Sequence, residues 1–225
     1  MLYDYLNNYF TLTYFNKGVF QCLKKAVIYA TNAHNGQTRK GTNLPFIIHP
    51  MEVAAIVAAM TLDQDMLCAA VLHDVVEDCD GISIEDIRRE FGNVVASYVY
   101  QESEDKSKTW VERKGHTIDF LKNRASRNAK IIALGDKLAN IRALYRDYNI
   151  LGEKLWERFN MKDKKMQGWY YRGMIEGFAD LSEFHEYEEY CQLVNEVFLK
   201  SNTKEKRLIS QTLLNVCKIS LFIRF

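Results

Sequence analysis

The chain has 225 residues, of which 48% are hydrophobic and 12% aromatic. This composition excludes global disorder and supplies a sizeable core for one domain, with or without appendages. Lys and Arg together number 30 and Asp and Glu 29, which gives a formal net charge of +1. A general nucleic-acid binder is therefore not expected, because such proteins usually carry a basic surplus.

The predicted secondary structure is all-α. The chain has only two prolines, Pro45 and Pro50, and alternating β-branched runs are nearly absent. Asp63 is a predicted N-cap of the third helix, and Ser83 with Asp86 gives a capping-box-like start to the fourth. Helices are predicted at residues 19–34, 51–61, 63–77, 83–100, 110–125, 127–147, 149–158, 161–180 and 182–200.

The two ends differ from the rest of the chain. Residues 1–18 are rich in Tyr, Phe and Asn and are predicted to form an N-terminal arm or an extra helix. Residues 201–225 run from a charged stretch into an apolar segment. This tail, whose role is left open, can pack on the core, join the interface of a homo-oligomer or be a divergent extension. Residues 19–200 then remain as a single helical domain.

The cysteine pattern and the lack of long apolar runs are typical of a reducing compartment. Five cysteines are scattered along the chain and none forms a CxxC pair, so neither a disulfide framework nor a zinc ribbon is indicated. Cys68 lies in an apolar helical pattern and is expected to be a reduced core residue. No run of residues approaches the length that spans a bilayer, and no secretory signal pattern opens the chain. We therefore expect a cytoplasmic protein without a membrane partner.

A cluster of ionisable side chains lies at the end of the predicted helix 63–77. His73 and Glu77 are four residues apart and share one helix face. Asp74 and Asp78 do the same, offset by one position. The residues before them are apolar, so the cluster is costly to bury unless a divalent cation compensates its charge. His73 and Asp74 offer donor atoms for such an ion, and the two acids one turn further can orient or deprotonate an attacking water.

Two further ligand candidates come from distant parts of the sequence. His49 immediately precedes Pro50, at a rigid helix entry. Asp136 lies in an apolar helical segment and shares a face with Asn140, one turn further. A set of two His and two Asp suits Mn²⁺, Fe²⁺, Zn²⁺ or Mg²⁺. Each of these residues alone is more often structural, so the prediction depends on their joint pattern.

The remaining histidines are assigned to other roles. His34 is an alternative ligand, but as the last residue before Asn35 and Gly36 it is better suited to a helix C-terminus. His116 and His185 are predicted to lie on the surface.

Four segments of the sequence resemble the hydrolase domain of RelA/SpoT homologues. They are Ala33–Lys40, Pro45–Pro50, His73–Asp78 and Gly135–Asn140, and they occur in the order and at the spacing of that family. The resemblance covers about residues 20–180 and leaves both ends of the chain outside it. The chain length matches the stand-alone small alarmone hydrolases of the HD superfamily.

The resemblance implies an all-α HD-domain helical bundle with a buried mononuclear metal site in residues 19–200. The implied reaction removes the 3′-diphosphate from the alarmone (p)ppGpp, a small-molecule nucleotide, and gives GDP or GTP and pyrophosphate. Mn²⁺ is the usual ion of the family. Glu77 then acts as general base and Asp78 orients the water, or the reverse. The implied metal ligands are His49, His73, Asp74 and Asp136.

The resemblance also implies where the nucleotide binds. Arg39 and Lys40 line the nucleotide site, and Asn140 contacts the nucleoside. A guanidinium suits stacking on a base or gripping a phosphate, and an ammonium provides a point charge for the diphosphate. In the charged block after residue 101, Lys106 and Arg113 are candidates for phosphate contacts, although a solvated helix start explains them equally well.

Three other functions are compatible with the sequence. The same fold and metal can serve another substrate: an adenosine alarmone, the 2′-phosphate of NADPH or a plain nucleotide. A non-catalytic alarmone sensor is the second, but a pure binder gains little from two more carboxylates beside an acidic site. A nucleic-acid binding module is the third, and the charge balance disfavours it. No Gly-rich phosphate loop is present, so a P-loop kinase is not expected.

Overall fold

The structure, a computed structural model, describes residues 21–102 and 107–199. Within these ranges the backbone is largely helical, and extended segments pair only at an isolated bridge between Thr38 and Pro45. The all-α prediction is confirmed. The helices are α1 at residues 21–33, α2 Ile48–Met60, α3 Gln64–Leu72, α4 Val75–Asp78, α5 Ile84–Glu102, α6 Trp110–Asn123, α7 Arg127–Leu151, α8 Lys164–Gly177 and α9 His185–Phe198. Short 3-10 helices follow α7 and α8 at Gly152–Arg158 and Ala179–Leu181.

Two predicted helix starts are confirmed by their capping contacts. Asp63 caps α3, because its carboxylate accepts hydrogen bonds from two backbone N–H groups of the first turn. Before α5, the Ser83 N–H donates to Asp86 Oδ2 at 2.9 Å and the Asp86 N–H donates to Ser83 Oγ at 3.3 Å. This reciprocal pair satisfies donors that a helix start leaves without intrahelical partners.

The predicted helix 63–77 was wrong as a single element. The chain leaves α3 after Leu72 and begins α4 only at Val75, so His73 and Asp74 form a turn between two helices. His73 keeps helical dihedrals, whereas Asp74 has φ −92° and ψ −8°. The two residues with the strongest metal-ligand signal therefore lie at a helix junction and not inside a helix.

Two glycines account for other boundary errors. The predicted helix 83–100 is interrupted at Gly92, whose φ of 87° lies in a region that glycine adopts readily. The break predicted after residue 147 is absent, because α7 continues to Leu151 and ends where Gly152 takes a φ of 58°.

Two compact units can be distinguished in the chain. Among the described residues, the first comprises residues 21–102 and 107–108 together with Ile131–Ala139, and in it α3 packs on α2 and α5. The second comprises Thr109–Lys130 and residues 140–199, and in it α8 packs on α6 and α9. The predicted arm, the predicted tail and the domain limits at 19 and 200 lie outside the described residues, so these predictions stay open to test.

Each unit has its own set of fully buried apolar side chains. Cys68 belongs to the first set and is a free thiol, as expected. The large members are Met66, Leu72, Ile87, Ile132, Leu134 and Leu138 in the first unit and Leu121, Ile141, Leu155, Met174, Phe178 and Tyr190 in the second. None of the described helices combines the length and the apolar character required to cross a membrane.

Candidate metal centre

His49 enters the site from the first turn of α2. It is the second residue of that helix and only 2% exposed. Its backbone N–H donates to the carbonyl of Phe46 at 2.9 Å, and the two rings are in edge contact at 5.8 Å between centroids. The residue is thus held by the loop before α2 as well as by the helix itself.

His73 is oriented by the helix that it ends. Its Nδ1 lies 2.9 Å from the carbonyl oxygen of Ala70, which can only accept, so Nδ1 carries the proton. In the neutral imidazole the lone pair then lies on Nε2, which is buried and points toward the carboxylates. A backbone carbonyl that fixes the outer nitrogen of a histidine in this way is a common feature of metal-binding imidazoles.

Asp136 is brought close to α2 by the glycine that precedes it. A Cβ at Gly135 would lie 2.7 Å from Val57 Cγ2 and 3.4 Å from Val53 Cγ1, so only glycine permits this approach of α7. Asp136 is 5% exposed, and Lys137 Nζ lies 2.5 Å from its Oδ2. The other carboxylate oxygen, Oδ1, faces the two imidazoles.

The predicted convergence of the four side chains is observed. His49 Nε2 lies 3.1 Å from Asp136 Oδ1 and 3.5 Å from Asp74 Oδ2. His73 Nε2 lies 3.0 Å from Asp74 Oδ2 and 3.7 Å from Asp136 Oδ1. His49, His73 and Asp136 each offer a donor atom within 4.8 Å of the other two. The Asp74 side chain is 22% exposed, so the cluster is partly accessible to solvent at this residue.

The charges of the cluster shift the pKa values of its members in opposite directions. Burial alone would lower the pKa of His73, but the charges of Asp74 and Asp136 raise it well above its usual value. Burial alone would raise the pKa of Asp136, but the Lys137 ammonium and both imidazoles hold it well below the usual value. The His73 charge and the contact with His49 likewise outweigh burial and lower the pKa of Asp74. Both carboxylates therefore stay ionised.

The donor set fits a divalent metal ion. A buried imidazole lone pair that faces two carboxylates is unfavourable unless a proton or a cation lies between them. Mixed nitrogen and oxygen donors suit a divalent transition metal, and the proton on His73 Nδ1 leaves Nε2 available for coordination. His49, His73 and Asp136 can hold such an ion, and Asp74 is placed to join them.

The two predicted catalytic acids follow the cluster on α4. Glu77 is partly buried and Asp78 is exposed. The backbone carbonyl of Asp78 accepts a hydrogen bond of 2.8 Å from Gln37 Nε2. Gln37 Oε1 in turn lies 2.9 Å from His34 Nδ1. The Gln37 side chain therefore links the loop before α2 to the turn that carries the acids.

A short hairpin presents the two predicted phosphate-binding cations. The Arg39 N–H donates to the Leu44 carbonyl and the Phe46 N–H donates to the Gln37 carbonyl, both at 2.9 Å. Arg39 is partly buried, with its guanidinium 5.9 Å from the centre of the Phe46 ring, and Lys40 is exposed. Phe46 also contacts His49, so the hairpin that carries Arg39 touches one of the ligand candidates.

The other predicted substrate contacts are not tested by this geometry. Asn140 and Arg113 belong to the second unit, and Lys106 lies outside the described residues. Their roles stay predictions. His34 is buried but is not part of the donor cluster, and its ring contacts that of Phe46 at 4.6 Å between centroids with a tilt of 38°.

Sequence reasoning missed two residues of the site, Lys137 and Gln37. Lys137 forms an ion pair with one carboxylate oxygen of Asp136. The only sequence signal for this contact was a lysine next to an aspartate in an apolar helical segment. Gln37 joins the hairpin to α4, which depends on a contact between residues 41 positions apart. A polar residue within a recognised motif was the available signal.

Comparison with known proteins is consistent with this site. A family model described as HD domain matches residues 26–152, more than half of the chain. MESH1 of Drosophila melanogaster, a guanosine-3′,5′-bis(diphosphate) 3′-pyrophosphohydrolase, is 39% identical over 135 residues, which cover 59% of this chain and 72% of MESH1. An enzyme of Vibrio cholerae with the same activity name is 38% identical over 136 residues, or 58% of this chain. The chain matches only 19% of that longer protein.

A solved structure extends the similarity to the fold. A metazoan orthologue of SpoT that hydrolyses ppGpp superimposes with a TM-score of 0.62 at 28% sequence identity, over 80% of this chain and 94% of that one. The fold and the site thus define an all-helical protein with a buried His/His/Asp cluster suited to a divalent metal. The chain belongs to the HD-domain family and is homologous to the MESH1 and SpoT hydrolases within it.

Proposed function

We propose that this protein is a metal-dependent hydrolase that removes the 3′-diphosphate from (p)ppGpp and releases GDP or GTP and pyrophosphate. The observation that carries the proposal is the buried His49, His73 and Asp136 cluster, with two acids on the helix that follows it. The sequence identity of 39% to MESH1, over 72% of the length of that enzyme, supports the choice of substrate.

The proposed metal ligands are His49, His73, Asp74 and Asp136, and Mn²⁺ is the proposed ion. A bound divalent cation supplies charge neutralisation on the phosphoryl oxygens and lowers the pKa of water. Lys137 keeps Asp136 ionised and fixes which carboxylate oxygen faces the imidazoles. The mixed donor set is compatible with Mn²⁺ and does not by itself distinguish it from Fe²⁺ or Zn²⁺.

We assign the general base to Glu77 and the orientation of the attacking water to Asp78. Glu77 is chosen as the base because it is partly buried beside the cluster, whereas Asp78 is exposed. Arg39 and Lys40 would hold the diphosphate from the hairpin, where Phe46 limits the motion of Arg39. Asn140, Arg113 and Lys106 are proposed to contact the substrate. We also propose a cytoplasmic location, because the scattered cysteines of the sequence indicate neither a disulfide framework nor a zinc ribbon.

The test is a turnover assay with Mn²⁺-loaded protein and separate substrates. Guanosine and adenosine alarmones, NADPH and GTP are incubated with the wild type and with the His73→Ala variant, and the products are separated by anion-exchange chromatography. We expect GDP and pyrophosphate from ppGpp with the wild type alone. If ppGpp is not turned over but NADPH releases phosphate or the adenosine alarmone is hydrolysed, the proposed substrate is rejected. The assignment as a metal-dependent hydrolase is kept in that case. Tight binding of ppGpp without any product would reject catalysis and favour a sensor.

A further inference from the structure

A pair of cysteines lies outside the metal cluster and close together. Cys22 on α1 and Cys68 on α3 are 46 positions apart in sequence, yet their Sγ atoms are 3.2 Å from each other. Both are free thiols. Cys68 is fully buried and Cys22 is partly exposed, so one member of the pair is accessible to a dissolved reagent and the other is held by packing.

The two sulfur atoms of this pair lie near bonding distance. A covalent S–S bond is about 2.0 Å long, so the two sulfurs need to approach by roughly 1 Å to bond. Cys68 lies in the continuous buried stretch Met66–Leu72 and has little freedom to move. Cys22 is the second described residue of α1 and is partly exposed, so its side chain can rotate with less steric hindrance. The approach therefore requires movement mainly of Cys22.

We propose that Cys22 and Cys68 form a reversible intramolecular disulfide that links α1 to α3 when a small-molecule disulfide is present. The Cys22 thiolate attacks a disulfide RSSR and releases one RS⁻, which leaves Cys22 bonded to SR. The Cys68 thiol then loses its proton, attacks the Cys22 sulfur and expels the second RS⁻. Both released thiolates take up the protons of the two cysteines. In the net reaction two protein thiols are oxidised and RSSR is reduced to two RSH.

The order of these steps follows from burial. Burial and the contact with Cys22 raise the pKa of Cys68, so this thiol stays protonated and inaccessible to a reagent in solution. The exposed part of Cys22 makes it the site of the first attack. The buried partner then resolves the mixed disulfide because it is already adjacent to it.

The bond would act on the helix that positions the metal cluster. Cys68 is in the middle of α3, and that helix ends at Leu72, directly before His73 and Asp74. The closed loop from residue 22 to residue 68 contains the hairpin and His49. A link between α1 and α3 therefore restrains both the loop and the helix that bring ligands to the site. The inference depends on the cysteine geometry alone and is independent of the substrate proposed above.

The experiment uses the full-length reduced protein and glutathione disulfide. Intact mass spectrometry after incubation should show a loss of about 2 Da per disulfide formed, which dithiothreitol reverses. Peptide mapping without reduction should join the peptide that holds Cys22 to the one that holds Cys68. The Cys22→Ser variant should not form this link, and the matched Cys191→Ser variant should form it as the wild type does. A lasting glutathione adduct on Cys22, a link to any other cysteine, or no reaction would overturn the inference.

A second readout separates a native link from one that distorts the fold. A disulfide across a long loop restricts the unfolded chain, so the oxidised protein should melt roughly 5–10 °C above the reduced protein. The Cys22→Ser variant should show no such difference after the same treatment. Oxidised protein that melts below the reduced form would contradict the inference that the folded helices already hold the sulfurs at bonding position.

Discussion

The carboxylates of Asp74 and Asp136 have different environments although both face the imidazoles. Asp136 is buried and forms an ion pair with Lys137, while Asp74 is partly exposed at the junction of α3 and α4. Glu77 lies one turn beyond the junction and does not belong to the group of close donor residues His49, His73 and Asp136. We therefore propose that Asp74 and Asp136 hold the ion and that Glu77 acts on water.

This separation predicts different effects for two alanine variants. Asp74→Ala removes an oxygen next to both histidines, so we expect loss of turnover and at least tenfold weaker metal retention. Glu77→Ala removes the proposed base, so kcat should fall roughly 10²- to 10⁴-fold while the metal stays bound. Elemental analysis after gel filtration, together with the alarmone assay, measures both quantities. Equal metal loss in the two variants would reject the division of roles.

Gln37 offers a second test at the same scale. Its side chain accepts from His34 and donates to the Asp78 carbonyl, so it fixes the cationic hairpin relative to the acids. The Gln37→Ala variant should lower kcat/KM roughly 10- to 100-fold, because small displacements of positioning groups are costly to rate, and its metal content should not change. Steady-state kinetics and elemental analysis provide the two measurements.

The matched variants for this test are Gln37→Glu and Asn43→Ala. Gln37→Glu keeps the length and the acceptor for His34 but lacks the amide donor, so it should lose activity as the alanine variant does. Asn43 is an exposed residue of the same hairpin, and its alanine variant should behave like the wild type. If Gln37→Ala lowers only the melting temperature and leaves kcat and KM unchanged, Gln37 has a structural role alone.

At the scale of secondary-structure elements, the contact between α2 and α7 sets the position of two ligand candidates. His49 is on α2 and Asp136 is on α7, and Gly135 allows the two helices to touch. A methyl group at position 135 would collide with Val57, so Gly135→Ala should lower the free energy of unfolding by about 1–3 kcal/mol. The same displacement should separate Asp136 from His49 and weaken metal retention. Thermal denaturation and elemental analysis test the two effects.

The compensating change is on the facing helix. Val57→Ala removes the methyl group that a Cβ at position 135 would meet at 2.7 Å, so the double variant Gly135→Ala, Val57→Ala should recover metal retention. Val57→Ala alone should cost stability through a small cavity but retain the metal. If the double variant binds metal as poorly as Gly135→Ala alone, the close approach of the helices is not what places Asp136.

The helices were predictable to the extent that local patterns determine them. The Asp63 and Ser83 caps were correctly identified because capping depends on neighbours within one turn. The junction at His73 and Asp74 was not, since no proline or glycine marks it and the apolar pattern runs through it. At this junction both side chains turn toward partners that are distant in sequence. Such a tertiary effect cannot be predicted from local helix propensity.

The ligand candidates were predictable for a different reason. His49, His73 and Asp136 carry the donor types that divalent metals need. They are far apart in sequence, but each lies in a motif that occurs in the same order in RelA/SpoT homologues. Lys137 and Gln37 supply contacts whose importance appears only once α7 and the hairpin are folded. A lysine or a glutamine in a motif has many structural uses, so its identity alone does not indicate its partner.

At the scale of the whole molecule, the proposed ion connects segments that are distant in sequence. Its candidate ligands come from α2, from the junction of α3 and α4, and from α7, all in the first unit. Binding to the folded state alone stabilises a protein by about 2.7 kcal/mol at a free metal concentration 100 times the Kd. Removal of metal by a chelator should therefore lower the melting temperature by roughly 5–10 °C, and Mn²⁺ should restore it. Scanning calorimetry measures both changes.

Two variants distinguish stabilisation by the metal cluster from general stability. His73→Ala should abolish most of the difference between metal-loaded and chelator-treated protein, because it removes a candidate ligand. Gly173→Ala places a Cβ 2.5 Å from Ile118 Cδ1 in the second unit, so it should lower the melting temperature yet keep that difference. Metal that raises the melting temperature of His73→Ala as much as that of the wild type would place the ion elsewhere. The metal-dependent increment, and not the absolute melting temperature, is therefore the quantity that reports on this site.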